Sequence, residues 1–221
     1  MTQALAEARP DALLVTGDIA HDPVPEAYQH FADIVTAHYE GPALCLAGNH
    51  DVGAAMGEML RATSLQLGPW CIVALDSHAD DQVEADVSAA DLAQLAQTLD
   101  ATPRQHHLVA THHPPIEVAC PWLDEHRIQN GTELLESLAE RPSVKGMVFG
   151  HAHQVVSHQH RHLPVLGTPS TCFQFKPRSE RFAVDEQLPG YRWLLLHTDG
   201  TLVSSVERLA GYPMQIDMTD R

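Results

Sequence analysis

The sequence predicts a layered α/β fold with at least one mixed or antiparallel sheet. Three observations carry this. Short apolar runs alternate with helix-patterned stretches as far as residue 149. From residue 150 onward the pattern turns β throughout. Four of the apolar runs are followed at once by small clusters of Asp, Asn and His, where open α/β sheets place their sites.

The first strand is expected at Ala12–Thr16, reading ALLVT. Tyr28, Phe31, Val35 and Tyr39 then recur at helical spacing within Pro25–Tyr39. Ala43–Ala47 is a second short strand, and Asp51–Ala62 a weakly patterned helix. Trp70–Leu75 (WCIVAL) is strongly β. Ser88 with Asp91 forms a capping box ahead of Leu92, Leu95 and Leu99. His107–Thr111 is a strand. Asn130 with Glu133 repeats the capping signal before Leu134, Leu135 and Leu138. Val144–Phe149 is the next strand, followed by Gln154–His160, Leu163–Leu166, Tyr191–His197 and Thr201–Val206. The polar, proline-containing stretch Lys176–Gly190 reads as a long surface loop. At the start, Thr2–Arg9 is helix-forming and ends at Pro10. A βαβ unit takes about 30 residues and begins with a strand. The chain therefore reads as a single domain over 1–221 that opens inside a crossover helix, N-terminally truncated with respect to a complete unit.

At 221 residues, 44% of them hydrophobic, the chain can bury one proper core. No apolar run reaches the roughly 20 residues of a membrane span, and no basic-then-apolar start marks a signal peptide. The net charge of −16 repels nucleic acids and anionic membranes. It also repels phosphate, so phosphate chemistry here requires local positive charge of the kind divalent metals supply. Cys45, Cys71, Cys120 and Cys172 have no C-x-x-C spacing. Cys45 and Cys71 lie in strand-like runs and read as buried free thiols, which favours a reducing cytoplasm without disulfides.

The polar clusters are Gly17-Asp18, Gly48-Asn49-His50-Asp51, His112-His113-Pro114 and Gly150-His151-Ala152-His153. A carboxylate at Asp18 has two free oxygens and can bridge two cations. The Asn49 carbonyl is a neutral hard ligand. His50 is expected to face the substrate and protonate a leaving oxygen. Asp51 either orients His50 or caps the next helix. His112 is preferred to His113 as a ligand. His151 and His153, in an extended stretch, would point the same way and divide between adjacent metals. His158, His160 and His162 read as an exposed alternating strand. Together the clusters are the footprint of a two-metal site that cleaves phosphate esters.

These motifs resemble the calcineurin-like metallophosphoesterase superfamily, and within it the bacterial class III 3′,5′-cyclic AMP phosphodiesterases. The similarity includes TGDIAHD (Thr16–Asp22), AGNHD (Ala47–Asp51), HHPP (His112–Pro115), GHAHQ (Gly150–Gln154) and the subfamily stretch TPSTCFQFKP (Thr168–Pro177). The resemblance implies an α/β/β/α sandwich, here without its first strand. It implies that Asp18 bridges two divalent ions, that Asn49, His112 and His151 complete one site, and that His153 belongs to the other. Asn49, His50 and His153 would contact substrate. The family's D-x-H element is absent, so the second site keeps Asp18 and His153 alone. Iron or manganese suits this ligand set ahead of zinc. The implied reaction is hydrolysis of cyclic AMP to 5′-AMP by a metal-activated hydroxide. The alternatives are a less specific phosphodiesterase or phosphatase, or a catalytically impaired protein holding one metal.

Overall fold

The computed structural model describes residues 6–60, 62–78 and 85–211. Strand β1 (Leu13–Val15) pairs in parallel with β2 (Ala43–Cys45). Helix α1 (Pro25–Thr36) connects them, opening on a proline whose fixed φ suits a first helical turn. Next come α2 (Gly53–Met56), β3 (Ser64–Leu67), β4 (Trp70–Ala74), α3 (Ala89–Ala101), β5 (His106–Thr111), α4 (Pro121–Asp124), α5 (Gly131–Ala139) and β6 (Val144–Phe149). The β-rich remainder holds β7 (Val156–His160), β8 (Leu163–Gly167), β9 (Gln174–Phe175), β10 (Val184–Asp185), β11 (Gly190–Leu196) and β12 (Leu202–Arg208).

The main sheet has six strands in the order β3-β4-β5-β6-β8-β7. Its four central strands are parallel, and β3 and β7 join antiparallel at the edges, so the expected mixed sheet is present. Period-two alternation divides its side chains between two cores. Cys71, Val73, Val109, Met147, Phe149 and Val165 face the helices, with Leu95 and Leu99 of α3 and Leu134, Leu135 and Leu138 of α5. Trp70, Ile72, Leu108, Ala110, Val148 and Leu166 face the other way. There they meet Leu14 and Leu44 of the β1–β2 pair and Leu194, Leu196 and Leu202 of the antiparallel β11–β12 pair. Beyond β1, Val35 of α1 packs with Tyr39 and Leu13. The layers are thus helix, sheet, paired strands, helix.

Several local readings are corrected. Asp51–Ala62 is not one helix: α2 stops at Gly57, whose φ of 53° ends the right-handed turn, and a 3₁₀ segment Gly57–Leu60 follows. Ser88 caps α3 as read, its hydroxyl accepting from the Asp91 N–H at 3.1 Å. Asn130 does not cap α5. Its amide instead bridges the Val87 backbone, accepting from the N–H at 3.2 Å and donating to the carbonyl at 2.7 Å. The Lys176–Gly190 stretch contains β10, paired to β9. The β3 strand went unread because SLQL alternates half-exposed and exposed residues on a sheet edge. Residues 6–8 are helical, and the rest of the Thr2–Arg9 reading lies partly outside the described residues. Cys45, Cys71, Cys120 and Cys172 are all free thiols, the first three buried.

Candidate metal centre

Every candidate side chain leaves the carboxyl end of a parallel strand. Asp18 follows β1, Asn49 and His50 follow β2, His112 follows β5, and His151 and His153 follow β6. Asp18, Asn49, His112 and His151 converge. His112 Nε2 lies 3.1 Å from Asn49 Oδ1, 3.2 Å from His151 Nδ1 and 3.4 Å from Asp18 Oδ2. His151 Nδ1 lies 2.8 Å from the same Asn49 oxygen.

The protonation of His112 makes this convergence informative. Its Nδ1 sits 2.6 Å from the Thr16 carbonyl oxygen, which can only accept, so Nδ1 carries the hydrogen. In the neutral ring the Nε2 lone pair then points at the lone pairs of Asn49 Oδ1 and Asp18 Oδ2. Electron pairs meeting electron pairs in a buried place are repulsive unless a cation sits among them. A proton is one solution. Burial opposes it, but the hydrogen bond and charge of Asp18 carry the His112 pKa above its ordinary value. For Asp18, burial raises the carboxyl, and His112 with the His50 N–H at 3.0 Å holds it well below the usual carboxylate range. A divalent ion is the other solution. The mixture of carboxylate, amide oxygen and imidazole nitrogen is a hard-to-borderline set that fits one.

The neighbouring histidines are poised as neutral donors. Burial, reinforced by the charge of His112, pushes His113 down to about 3 and His151 well below its ordinary value. His113 Nε2 and His151 Nε2 are buried without hydrogen-bond partners. Nitrogens of His112, His113 and His151 all lie within 4.8 Å of one another. The sequence ranked His113 behind His112; the structure brings both to the cluster. His113 is held by Ser77, three residues past β4, whose hydroxyl lies 3.0 Å from Nδ1. Ser77 left no sequence signal, and neither did His126, whose ring centroid lies 5.6 Å from that of His151.

The backbone here is forced. Asp18, His151 and His153 have φ of 54°, 51° and 47°, in the left-handed region that side chains avoid. His151 and His153 therefore do not share an extended stretch, as alternation implied. A tight turn closed by the Ala152 N–H on the Gly150 carbonyl at 2.5 Å aims them separately. Two glycines make the approach possible. A Cβ on Gly48 would fall 2.2 Å from Asp18 Oδ1, and one on Gly17 (φ 93°) 2.4 Å from His112 Nδ1.

His153 stands apart from the four. It stacks on Phe175 at 4.4 Å, with Phe173 at 5.2 Å, and burial pushes its pKa down to about 4. His50 is exposed, its ring 5.1 Å from that of His21. Asp51 fills neither role expected of it. It is 2% exposed and accepts from the N–H groups of Ile19, Ala20 and Gly48 and from the Tyr28 hydroxyl. It ties the β1 loop to the β2 loop. His160 faces Glu136 at 3.2 Å, and His158 and His162 are exposed.

Residues 1–155 match the sequence profile of the family described as Calcineurin-like phosphoesterase. The chain is 39% identical to the 3′,5′-cyclic adenosine monophosphate phosphodiesterase CpdA of Escherichia coli K12, covering 97% of this chain and 82% of the relative. It is 38% identical to a 3′,5′-cyclic-nucleotide phosphodiesterase of Nostoc sp., over 97% and 83%. Among solved structures, a dimetal phosphatase from Danio rerio shares the fold with a TM-score of 0.62 at 13% identity, covering 87% of this chain and 82% of that one. Sandwich layers, clustered donors and a profile spanning most of the chain agree: this protein belongs to the calcineurin-like phosphoesterase family.

Proposed function

We propose that the protein hydrolyses 3′,5′-cyclic AMP to 5′-AMP, with Asp18, Asn49, His112 and His151 holding one divalent ion and Asp18 and His153 serving a second. The observation that carries the chemistry is the meeting of the Asp18, Asn49, His112 and His151 electron-pair donors at one place, a mixed oxygen and nitrogen set that suits a divalent ion. The substrate follows from relatives named as cyclic AMP and cyclic-nucleotide phosphodiesterases that align over 97% of the chain. Iron or manganese fits the mixed oxygen and nitrogen donors, with zinc third. When bound, such ions lower the pKa of water and offset the charge of the phosphoryl oxygens.

The chain's own residues do the rest. Asn49 supplies an oxygen without charge, which keeps the site from becoming too anionic to admit phosphate. The Thr16 carbonyl fixes the His112 ring so that Nε2 faces inward. His50, exposed beside the cluster, donates a proton to the departing 3′ oxygen. No helix among the described residues is long and apolar enough to cross a membrane; a cytoplasmic location fits the free thiols.

The test is turnover of cyclic AMP against bis(p-nitrophenyl) phosphate with added manganese, alongside metal analysis. We expect cyclic AMP to be the better substrate and up to two ions per chain. His50→Ala should lower kcat by about 10²–10⁴-fold with metal content unchanged. Hydrolysis of the nitrophenyl ester with cyclic AMP untouched would indicate a less specific phosphodiesterase instead. Equal metal loss in His50→Ala and His112→Ala would overturn the division of roles.

A further inference from the structure

His112 and His113 are neighbours in the chain, and in an extended strand their side chains would face opposite ways. Both instead reach the donor cluster. Strand β5 ends at Thr111 and the chain bends there. The Thr111 hydroxyl donates to the His113 carbonyl at 2.9 Å, and the Gly150 N–H donates to the His112 carbonyl at 3.0 Å. The His113 ring then lies 4.8 Å from that of His112, edge-on, and 4.9 Å from that of His151, tilted by 43°.

Among the described residues, His112, His113 and His151 form a group whose donor nitrogens all approach within 4.8 Å of one another. Nitrogens bound to one ion at about 2.1 Å lie at most about 4.2 Å apart, so binding needs an inward shift of about half an ångström. Nδ1 of His113 is taken by Ser77, which leaves Nε2 as the atom it can offer. That nitrogen is buried and has no hydrogen-bond partner. His107 Nδ1 and His153 Nδ1 are in the same condition, but neither residue belongs to the group.

Ser77 prepares the ring. Its oxygen accepts from the His113 backbone N–H at 3.2 Å and lies 3.0 Å from Nδ1. A hydroxyl has two lone pairs and can take both hydrogens. The ring hydrogen then sits on Nδ1, and the Nε2 lone pair is left for a cation. The Thr16 carbonyl does the same for His112. Histidines that bind metal are commonly oriented in this way through their other nitrogen.

The structure assigns His113 as a further ligand of the metal centre, through Nε2, with Ser77 as its positioning residue; the assignment rests on the metal-centre reading above. The ion held by Asp18, Asn49, His112 and His151 then gains a third imidazole and has a full donor set without calling on His153. Imidazole suits iron and zinc, whereas manganese prefers oxygen, so His113 favours iron over manganese at this ion.

Ligation can be read without turnover. The full chain, labelled with ¹⁵N, is freed of metal and then given one equivalent of zinc, a diamagnetic probe. Imidazole nitrogen spectra should show His113 Nε2 without an attached hydrogen and shifted to the position of a metal-bound nitrogen, with Nδ1 protonated. His113→Phe, which keeps the ring volume and lacks the nitrogen, identifies the signals and should weaken zinc by about 100-fold; Ser77→Ala should weaken it by about tenfold. Melting curves identify any variant that has not folded, and His113→Leu replaces His113→Phe in that case. A hydrogen remaining on His113 Nε2 in the zinc-loaded wild type, or unchanged zinc affinity in the folded His113 variant, would overturn His113 as a ligand while leaving the other four donors standing. A wild type that binds no zinc would overturn the metal centre itself and this assignment with it.

Discussion

Asp18 and Asp51 lie in the same pair of loops and both contact the Gly48–His50 turn, yet they meet opposite surroundings. Asp51 is surrounded by donors: the N–H groups of Ile19, Ala20 and Gly48, and the Tyr28 hydroxyl. Asp18 receives the single N–H of His50 and otherwise faces the Nε2 of His112. A carboxylate saturated with donors is a structural clamp. A carboxylate aimed at electron pairs is incomplete without a cation. The difference separates stability from chemistry within one loop pair, and it can be broken at either end.

The largest effect is expected on the incomplete side. His112→Ala removes the atom on which Asp18, Asn49 and His151 converge. We expect loss of bound metal and a fall in cyclic AMP turnover of roughly a thousandfold, read by metal analysis and steady-state assay. The fold should survive, because the two hydrophobic cores that carry the strands lie outside the cluster and keep their packing. A large drop in metal-free melting temperature would show the two carboxylates to be less different than their partners suggest.

The saturated side should respond in the opposite sense. Asp51→Ala strands several buried donors, each costing about 1–3 kcal/mol when unsatisfied. We expect about 3 kcal/mol of destabilisation after partial relaxation, measured by urea unfolding, with activity falling only as the two loops lose their register. Asp51→Asn keeps an acceptor oxygen and should lose less.

The smallest effect concerns pH. His113 and His153 are held neutral by burial, with pKa values of about 3 and about 4, below the 6.5 of the unfolded chain. Between about pH 6.5 and pH 4 the unfolded state therefore binds more protons, and metal-free stability falls as pH falls. His112, raised above 6.5, works the other way: its contribution is complete below that value and is lost as pH rises through its folded pKa. Asp18 keeps its contribution above 3.8 and loses it at lower pH. His153→Phe preserves the stack on Phe175 and removes one titration. It should flatten the metal-free slope by about 1 kcal/mol per pH unit, measured by melting at fixed ionic strength. An unchanged slope would mean that His153 is more hydrated than its burial indicates.

Much of the site was legible because its residues follow strand ends in short clusters, a pattern local in the chain. Asp18, Asn49, His112 and His151 each adjoin a glycine or a second histidine after an apolar run. What stayed hidden depends on distant partners. Asp51 looked like a helix cap because its ties to Ile19, Ala20 and Tyr28 span 23 to 32 residues. Asn130 looked like another for the same reason, its partner Val87 lying 43 residues away. The i, i+2 spacing of His151 and His153 suggested an extended strand, since alternation says nothing about a backbone held at positive φ.

The sequence by itself determined the type of most elements and named the candidate donors. These follow from periodicity and side-chain chemistry, which each short segment carries within itself. Only the tertiary structure decided which histidine nitrogen faces inward, and which carboxylate is clamped and which is exposed to lone pairs. Those outcomes are set by atoms brought within about 3 Å from loops far apart in the chain, and no local pattern encodes the distance between them.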